Sequence, residues 1–319
     1  MTYSPASLTV VIVSYNSRAT IGRTLSALEN QTVQGFETLV VDSSDDGSEM
    51  EIILRFPWVR LHHEAERLYP GKARNVALQH ARGDLIAFVD ADCIADPDWV
   101  ERILDAHSDP AHANRLIIGG SVGTANVEDR DGWASFFCEF SPWLRVGETR
   151  VAPDIPTCCY SMKREAFARF GPFDEEGYCS DTIFNWRAGA ENQHPLFVPR
   201  IHVRHINPTD RRRILAKQGM HGERFATVRV REHGWSAMRA LLHAFTAPFL
   251  PPLLWLRTAR RVWRVEGYRS PFLRATLALW HVLSAWCLGE ARGYWRAARP
   301  APHSKTRRSL DHDGGNLAH

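Results

Sequence analysis

The residues best able to do chemistry begin with Asp90-Ala91-Asp92, two carboxylates one residue apart directly after the apolar run 85–89. Where a chain turns after a strand, both acids can reach the same space. Hard cations such as Mn²⁺ and Mg²⁺ prefer oxygen ligands, and Mg²⁺ commonly sits between one or two carboxylates and a substrate's phosphates. A diphosphate held in this way leaves more easily, because the ion neutralises the charge developing on it. D-x-D is also common on surface loops, so it gains meaning only from the elements that present it.

Those elements read as α/β. Runs 8–13, 36–41 and 85–89 are apolar and rich in β-branched residues, as buried strands are, and 58–62 reads as a further strand. Segments 20–30, 48–55 and 70–81 fit helices between them. This alternation from 8 to 110 predicts a mostly parallel, Rossmann-like sheet flanked by helices. Ligands of such sheets bind beyond the strands' carboxyl ends, where Ser14-Tyr15-Asn16, Asp42 and Asp90 fall. Strand one is not followed by G-x-G-x-x-G, and no G-x-x-x-x-G-K-[ST] occurs, which disfavours dinucleotide and P-loop enzymes. Further strands are expected at 116–122, 155–162 and 196–206, helices at 163–170 and 181–190, and helical structure from about 209 to 298.

Three motifs occur in order: Val11-Ile12-Val13-Ser14-Tyr15-Asn16, then Val40-Val41-Asp42-Ser43-Ser44-Asp45-Asp46-Gly47-Ser48, then Gly71-Lys72-Ala73-Arg74-Asn75 leading into Gly83-Asp84 and Asp90-Ala91-Asp92. Over roughly residues 8–230 the chain thereby resembles the family 2 glycosyltransferases of the GT-A fold. The resemblance implies that Ser14, Tyr15 and Asn16 line a nucleoside pocket and that Asp42 contacts base or ribose. It puts Lys72, Arg74 and Asn75 near the nucleotide, and Asp90 and Ala91 against the nucleotide-sugar. Asp92, with Asp90, would hold Mn²⁺ or Mg²⁺. Asp181, in Ser180-Asp181-Thr182 after Gly171-Pro172-Phe173-Asp174-Glu175-Glu176, matches the family's general base, although Ser180 stands where the family usually has Glu. General-base help of this kind is worth roughly 10²–10⁴-fold. His205 matches a histidine that completes the metal or diphosphate site in some members; a domain-edge histidine is the bland reading. For Asp181 the bland reading is a helix cap, and for Asp45 and Asp46 a solvated capping loop.

Charge divides the chain. Residues 1–200 carry 18 basic and 29 acidic groups, and residues 201–319 carry 21 basic and 7 acidic. The stretches 240–256 and 275–289 lack Asp, Glu, Lys and Arg, are flanked by arginines and contain or adjoin tryptophans. Each is shorter than the roughly 20 residues of a spanning helix. Arginine and aromatic residues suit a headgroup region, so the segment reads as a basic helical extension lying on the inner face of the membrane. A helical pair packed on the catalytic domain, or a homodimer contact, is the alternative. Arginines interleaved with apolar stretches argue against nucleic acid. Six cysteines without a C-x-x-C pair suggest neither a disulfide framework nor a zinc site, and Cys158-Cys159 reads as two buried small hydrophobes.

The sequence thus predicts a GT-A-like catalytic domain at 1–230, a basic Trp-rich helical segment at 231–299 and a disordered tail at 300–319. The expected activity is inverting, metal-assisted transfer of a sugar from a nucleotide-sugar, UDP-linked by family habit, to a lipid-linked or surface-glycan hydroxyl at the cytoplasmic face of the membrane. The rivals are a sugar-phosphate nucleotidyltransferase and a non-catalytic sugar-nucleotide-binding scaffold.

Overall fold

A computed structural model describes residues 2–299; the tail expected at 300–319 lies outside the described residues. The first part of the chain follows the alternating pattern: β1 (Leu8–Ser14), α1 (Ile21–Glu29), β2 (Glu37–Asp42), α2 (Ser48–Arg55), β3 (Arg60–His63), α3 (Pro70–His80) and β4 (Leu85–Phe88). α1 buries Ile21, Leu25 and Leu28, the i, i+4, i+7 stripe of a surface helix. α3 opens on Pro70, where a missing N–H costs nothing. Then come β5 (Cys93–Ala95), α4 (Trp99–Ser108), β6 (Ile117–Thr124), α5 (Arg130–Phe140), β7 (Arg150–Val151), β8 (Tyr160–Lys163), α6 (Arg164–Phe170), α7 (Ser180–Ala190) and β9 (Leu196–His205). Four helices close the described chain: α8 (Arg211–Glu232), α9 (Ala237–Thr246), α10 (Pro251–Val262) and α11 (Arg269–Ala297).

The strands form one sheet in the order β3-β2-β1-β4-β8-β6-β9-β5, with β7 on β9. β3, β2, β1 and β4 run parallel, as expected for 8–110. The sheet as a whole is mixed: β8 is antiparallel to β4 and β6, and β5 and β7 are antiparallel to β9. Register places the chemistry at one edge. Ser14 pairs with Asp42, Asp42 with His63, and Cys93 with His205. Asp92, one residue before Cys93, therefore arrives beside His205.

The apolar stretch 240–256 spans the end of α9 and the start of α10, and the stretch 275–289 lies within α11. α11 is one helix of 29 residues, roughly 43 Å long at about 1.5 Å per residue. It is long and apolar enough to cross a membrane, yet 44% of its apolar window is buried in the protein. It lies along α8 at very close range: a Cβ on Gly222 would sit 2.2 Å from the Trp286 carbonyl oxygen, and one on Gly289 would sit 2.1 Å from that of Gly219. Phe272 stacks edge-on against Phe137 of α5, and Tyr268 against Trp133. Phe272, Leu279 and Val282 belong to the same apolar core as Leu8, Val10 and Ile12. The boundary expected at residue 230 thus falls inside α8, and the helices share the catalytic part's core.

Candidate active site

Two backbone bonds and one side-chain bond fix the turn that carries the paired acids. Cys93 N donates to the Asp90 carbonyl (3.0 Å), Ile206 N to the Asp92 carbonyl (2.7 Å), and Thr24 Oγ1 of α1 to the Ala91 carbonyl (2.9 Å). Ala91 itself is buried. Asp92 Oδ1 lies 3.3 Å from His205 Nε2. The other ring nitrogen of His205 is 3.0 Å from Asn207 Oδ1, and Asn207 Nδ2 donates to Thr124 Oγ1 at 2.9 Å. That orients the amide so its oxygen accepts from Nδ1–H, leaving the Nε2 lone pair directed at the space beside Asp92. Such a partner is what fixes the tautomer of a metal-binding histidine. Ligand atoms of Asp92, Cys93 and His205 lie within 4.8 Å of one another, but burial pushes the Cys93 thiol well above its usual range and keeps it protonated. Carboxylate and imidazole are the usable donors.

Asp90 faces the guanidinium of Arg74, whose Nη2 is 3.8 Å from Oδ1. Burial pushes the Asp90 carboxyl up to about 6, Arg74 pulling it down and Asp92 pushing it further up. Arg74 Nη1 donates to Ser180 Oγ at 2.8 Å. Asp181 follows in the first turn of α7, after Cys179 at φ +70°. The cap position belongs to Cys179, so Asp181 is not the helix cap. Its Oδ1 accepts from Thr182 N at 2.9 Å, and its Oδ2 has only 3.4 Å contacts with Thr157.

Arg74, Asp90, Asp92, Asp181 and His205 line one cavity of about 620 Å³. Sequence reasoning missed Glu139, Lys217 and His221, which line it too. Lys217 Nζ is 3.3 Å from Glu139 Oε1, and Gln218 also donates to that carboxylate. Burial pushes Glu139 up, but Lys217 and His221 outweigh it and hold it below the usual range. Burial lowers Lys217, but Glu139 and Asp92 raise it and keep it charged. The His221 ring sits 4.2 Å from that of Tyr178, and burial pushes its pKa down to about 4. An acid in the aromatic run 133–140 and a lysine beside Gln218-Gly219 were the available signals.

The nucleoside loop is built differently from the expectation. Asp42 is fully buried: Oδ1 accepts from Ser14 Oγ (2.6 Å) and Ser44 Oγ (2.7 Å), and Oδ2 from Ser44 N (3.1 Å), with His63 Nδ1 at 3.0 Å. It holds the loops and offers no face to a nucleoside. Asn16, at φ +52°, accepts from Asp45 N through its Oδ1, and its own N–H donates to Ser44 Oγ. Tyr15 and Asn16 are both exposed, and the Arg67 guanidinium lies 4.3 Å over the Tyr15 ring and 4.9 Å from that of Tyr69. Asn75 is also structural: it is buried, donates to the Phe173 carbonyl and Glu175, and accepts from Phe173 N. Lys72 is exposed and outside the cavity lining. Asp46 accepts from Ser48 N at the start of α2, whose cap position is Gly47.

Gly119-Gly120-Ser121-Val122-Gly123 has the spelling of a serine-hydrolase elbow. Ser121 is instead fully buried within β6, its Oγ donating to the Pro199 carbonyl and 2.7 Å from His202 Nδ1.

Residues 9–170 match the profile of Glycosyl transferase family 2. The validoxylamine A glucosyltransferase of Streptomyces hygroscopicus subsp. jinggangensis is 32% identical over 154 residues, 46% of this chain and 36% of that one. The poly(ribitol-phosphate) beta-N-acetylglucosaminyltransferase TarS of Staphylococcus aureus is 29% identical over 163 residues, 47% and 27% of the two chains. The matched stretch thus spans about a third of these relatives' length. Among solved structures, the mannosyltransferase PcManGT from Pyrobaculum calidifontis, in complex with GDP-Man and Mn²⁺, superposes with a TM-score of 0.56 at 19% identity, over 89% of this chain and 87% of that one. That likeness establishes a shared GT-A fold.

Proposed function

The chain belongs to glycosyl transferase family 2, and from that premise we propose that it transfers a sugar, with inversion, from a nucleotide-sugar to an acceptor hydroxyl. The observation that carries this reading is the convergence of Asp90, Asp92, His205, Arg74 and Asp181 on one cavity at the sheet's carboxyl edge.

Asp92 and His205, with Asp90 beside them, fit a Mn²⁺ or Mg²⁺ ion by the chemistry of their donors. When bound, such an ion neutralises charge on the departing diphosphate. Tyr15 and the 14–16 loop take the nucleoside. Arg74 and Lys217 add positive charge around the phosphates. Asp181 orients the acceptor hydroxyl and takes its proton as the oxygen bonds to the anomeric carbon. The bond from that carbon to the diphosphate oxygen breaks, and the nucleoside diphosphate leaves. The acceptor is lipid-linked or a surface glycan, and the protein works on the cytoplasmic face of the membrane. In support, Met238, Leu242, Phe245, Leu273 and Leu277 are each more than 59% exposed on α9 and α11, amid a strongly basic segment suited to anionic lipid.

The test is a thermal-shift panel of UDP-, GDP- and dTDP-sugars with and without Mn²⁺, on wild type and Asp92→Ala. One donor should stabilise the wild type only with metal, and the variant should lose that shift. Metal-dependent binding without turnover on any acceptor would favour the scaffold reading; no shift with any donor would refute the transferase reading.

A further inference from the structure

The cavity does not end at the carboxylates. Its far wall comes from the C-terminal helices: Leu250, Leu254, Arg257 and Arg261 around α10, and Leu283 and Trp286 of α11. This wall is apolar and cationic except for Glu290 of α11, which accepts from Trp286 Nε1 at 3.0 Å. Arg257 and Arg261 are one helical turn apart, a spacing at which like charges repel. Arg150 adds a third positive charge near Arg261. Arg261 reaches only a hydroxyl, Ser141 Oγ at 3.4 Å, and Arg150 the Pro142 carbonyl and the Phe197 ring. Elsewhere in the lining, Lys217 pairs with Glu139 and Arg74 faces Asp90. Unneutralised guanidinium groups beside leucines and a tryptophan suit a phosphate joined to an apolar chain.

α10 also separates two spaces. Leu254 faces the cavity, while Leu253 and Leu256 are exposed on the outside, next to Phe249 at 80% exposure. The helix is therefore a thin partition between the cavity and the exposed apolar surface.

We propose that the acceptor is an anionic amphiphile, a phosphate or diphosphate ester of an apolar chain, whose phosphate is held by Arg257 and Arg261 and whose chain lies along Leu250, Leu254 and Trp286. This rests on the transferase reading and narrows its acceptor: the anion is the acceptor's own, and the acceptor enters from the side of the helical bundle.

The experiment titrates the full chain with farnesyl phosphate, farnesol, inorganic phosphate and nucleotide plus Mn²⁺, for wild type and Arg257→Gln/Arg261→Gln. Wild type should bind farnesyl phosphate at least about 10-fold more tightly than farnesol or inorganic phosphate. The double variant should lose on the order of 10- to 100-fold for farnesyl phosphate and keep its affinity for farnesol and nucleotide. Wild type that binds nucleotide but not farnesyl phosphate would overturn the proposal and leave the transferase reading standing. Equal farnesyl phosphate affinity in the variant would also overturn it. A parallel arm uses vesicles containing phosphatidylglycerol: loss of vesicle binding, with farnesyl phosphate binding unchanged, would assign the arginines to bilayer headgroups instead. Loss of nucleotide binding by Asp92→Ala, measured alongside, reports on the donor reading alone.

Discussion

Arg74 and Ser180 share a buried hydrogen bond of 2.8 Å between α3 and the start of α7, and the same guanidinium faces Asp90. One arginine thus links the paired acids to the residue preceding Asp181. Ser180 is the acceptor that completes this link. Ser180→Ala would leave Arg74 Nη1 buried without a partner, a cost of about 1–3 kcal/mol. Denaturant unfolding should show that loss, and donor binding should weaken with it. Arg74→Lys should not restore either, because an ammonium cannot reach both partners with a planar fork.

Asp181 and Asp92 should separate in kinetics. Asp181→Asn keeps the shape and removes the base, so kcat should fall roughly 10²–10⁴-fold with nucleotide-sugar affinity little changed. Asp92→Asn should instead abolish the dependence of nucleotide binding on Mn²⁺. Equal loss of donor affinity in the two variants would refute the division of roles.

His107 gives an acid-stability prediction away from the site. It is buried with Nε2 3.0 Å from Ser161 Oγ, and burial, then Lys163 and His112, push its pKa down to about 3. The folded state keeps it neutral while the unfolded chain protonates it near its ordinary pKa of about 6.5. Its contribution is therefore complete above that value and declines as pH falls toward 3. Between pH 7 and 5, wild type should lose about 2 kcal/mol more stability than His107→Gln. Buried acids such as Asp154, raised to about 7 by burial and by Asp181, act in the opposite direction but equally in both proteins. Parallel curves for the two would contradict the prediction.

Gly222→Ala places a methyl group 2.2 Å from a backbone oxygen of α11. The helices must separate, at a cost of about 1–3 kcal/mol. Because α8 also carries Lys217 and His221 into the cavity, donor binding should fall with the melting temperature. Unchanged melting would mean that the two helices do not pack this closely.

Vesicle flotation tests the outer face. Phe245→Asp with Leu277→Asp removes two large, exposed apolar side chains, so binding to anionic vesicles should drop several-fold while the fold, read by thermal melting, is retained. Full retention of vesicle binding would exclude this face.

The alternating half was legible because its strands are buried on both faces. Uniform apolar runs such as 8–13 and 85–89 have few other uses, and each ends where its first polar residue enters the ligand edge. Asp90, Asp92, Asp181 and His205 were legible through motif spacing, and the structure brings them together. Asp42 and Asn75 show the limit: both occupy motif positions, yet their hydrogen bonds turn them inward. Whether a carboxylate faces a ligand or a neighbouring serine depends on partners distant in sequence. Glu139 and Lys217 were hidden for the same reason, since α5 and α8 meet only through tertiary packing. α11 runs well past the apolar stretch 275–289, because Arg274 and Glu290 bound that stretch without ending the helix.

The glycine-lined crossing of α8 and α11 also orders events in time. Gly289 is synthesised about seventy residues after Gly219, the residue it packs against. At translation rates of about 5–20 residues per second, that is an interval of several seconds. Throughout it the groove on α8 is bare, the wall bearing Trp286 does not yet exist, and the sheet's core lacks Phe272, Leu279 and Val282. The last helix to emerge acts as the closing piece, and anything that detains it leaves a sticky, half-built enzyme.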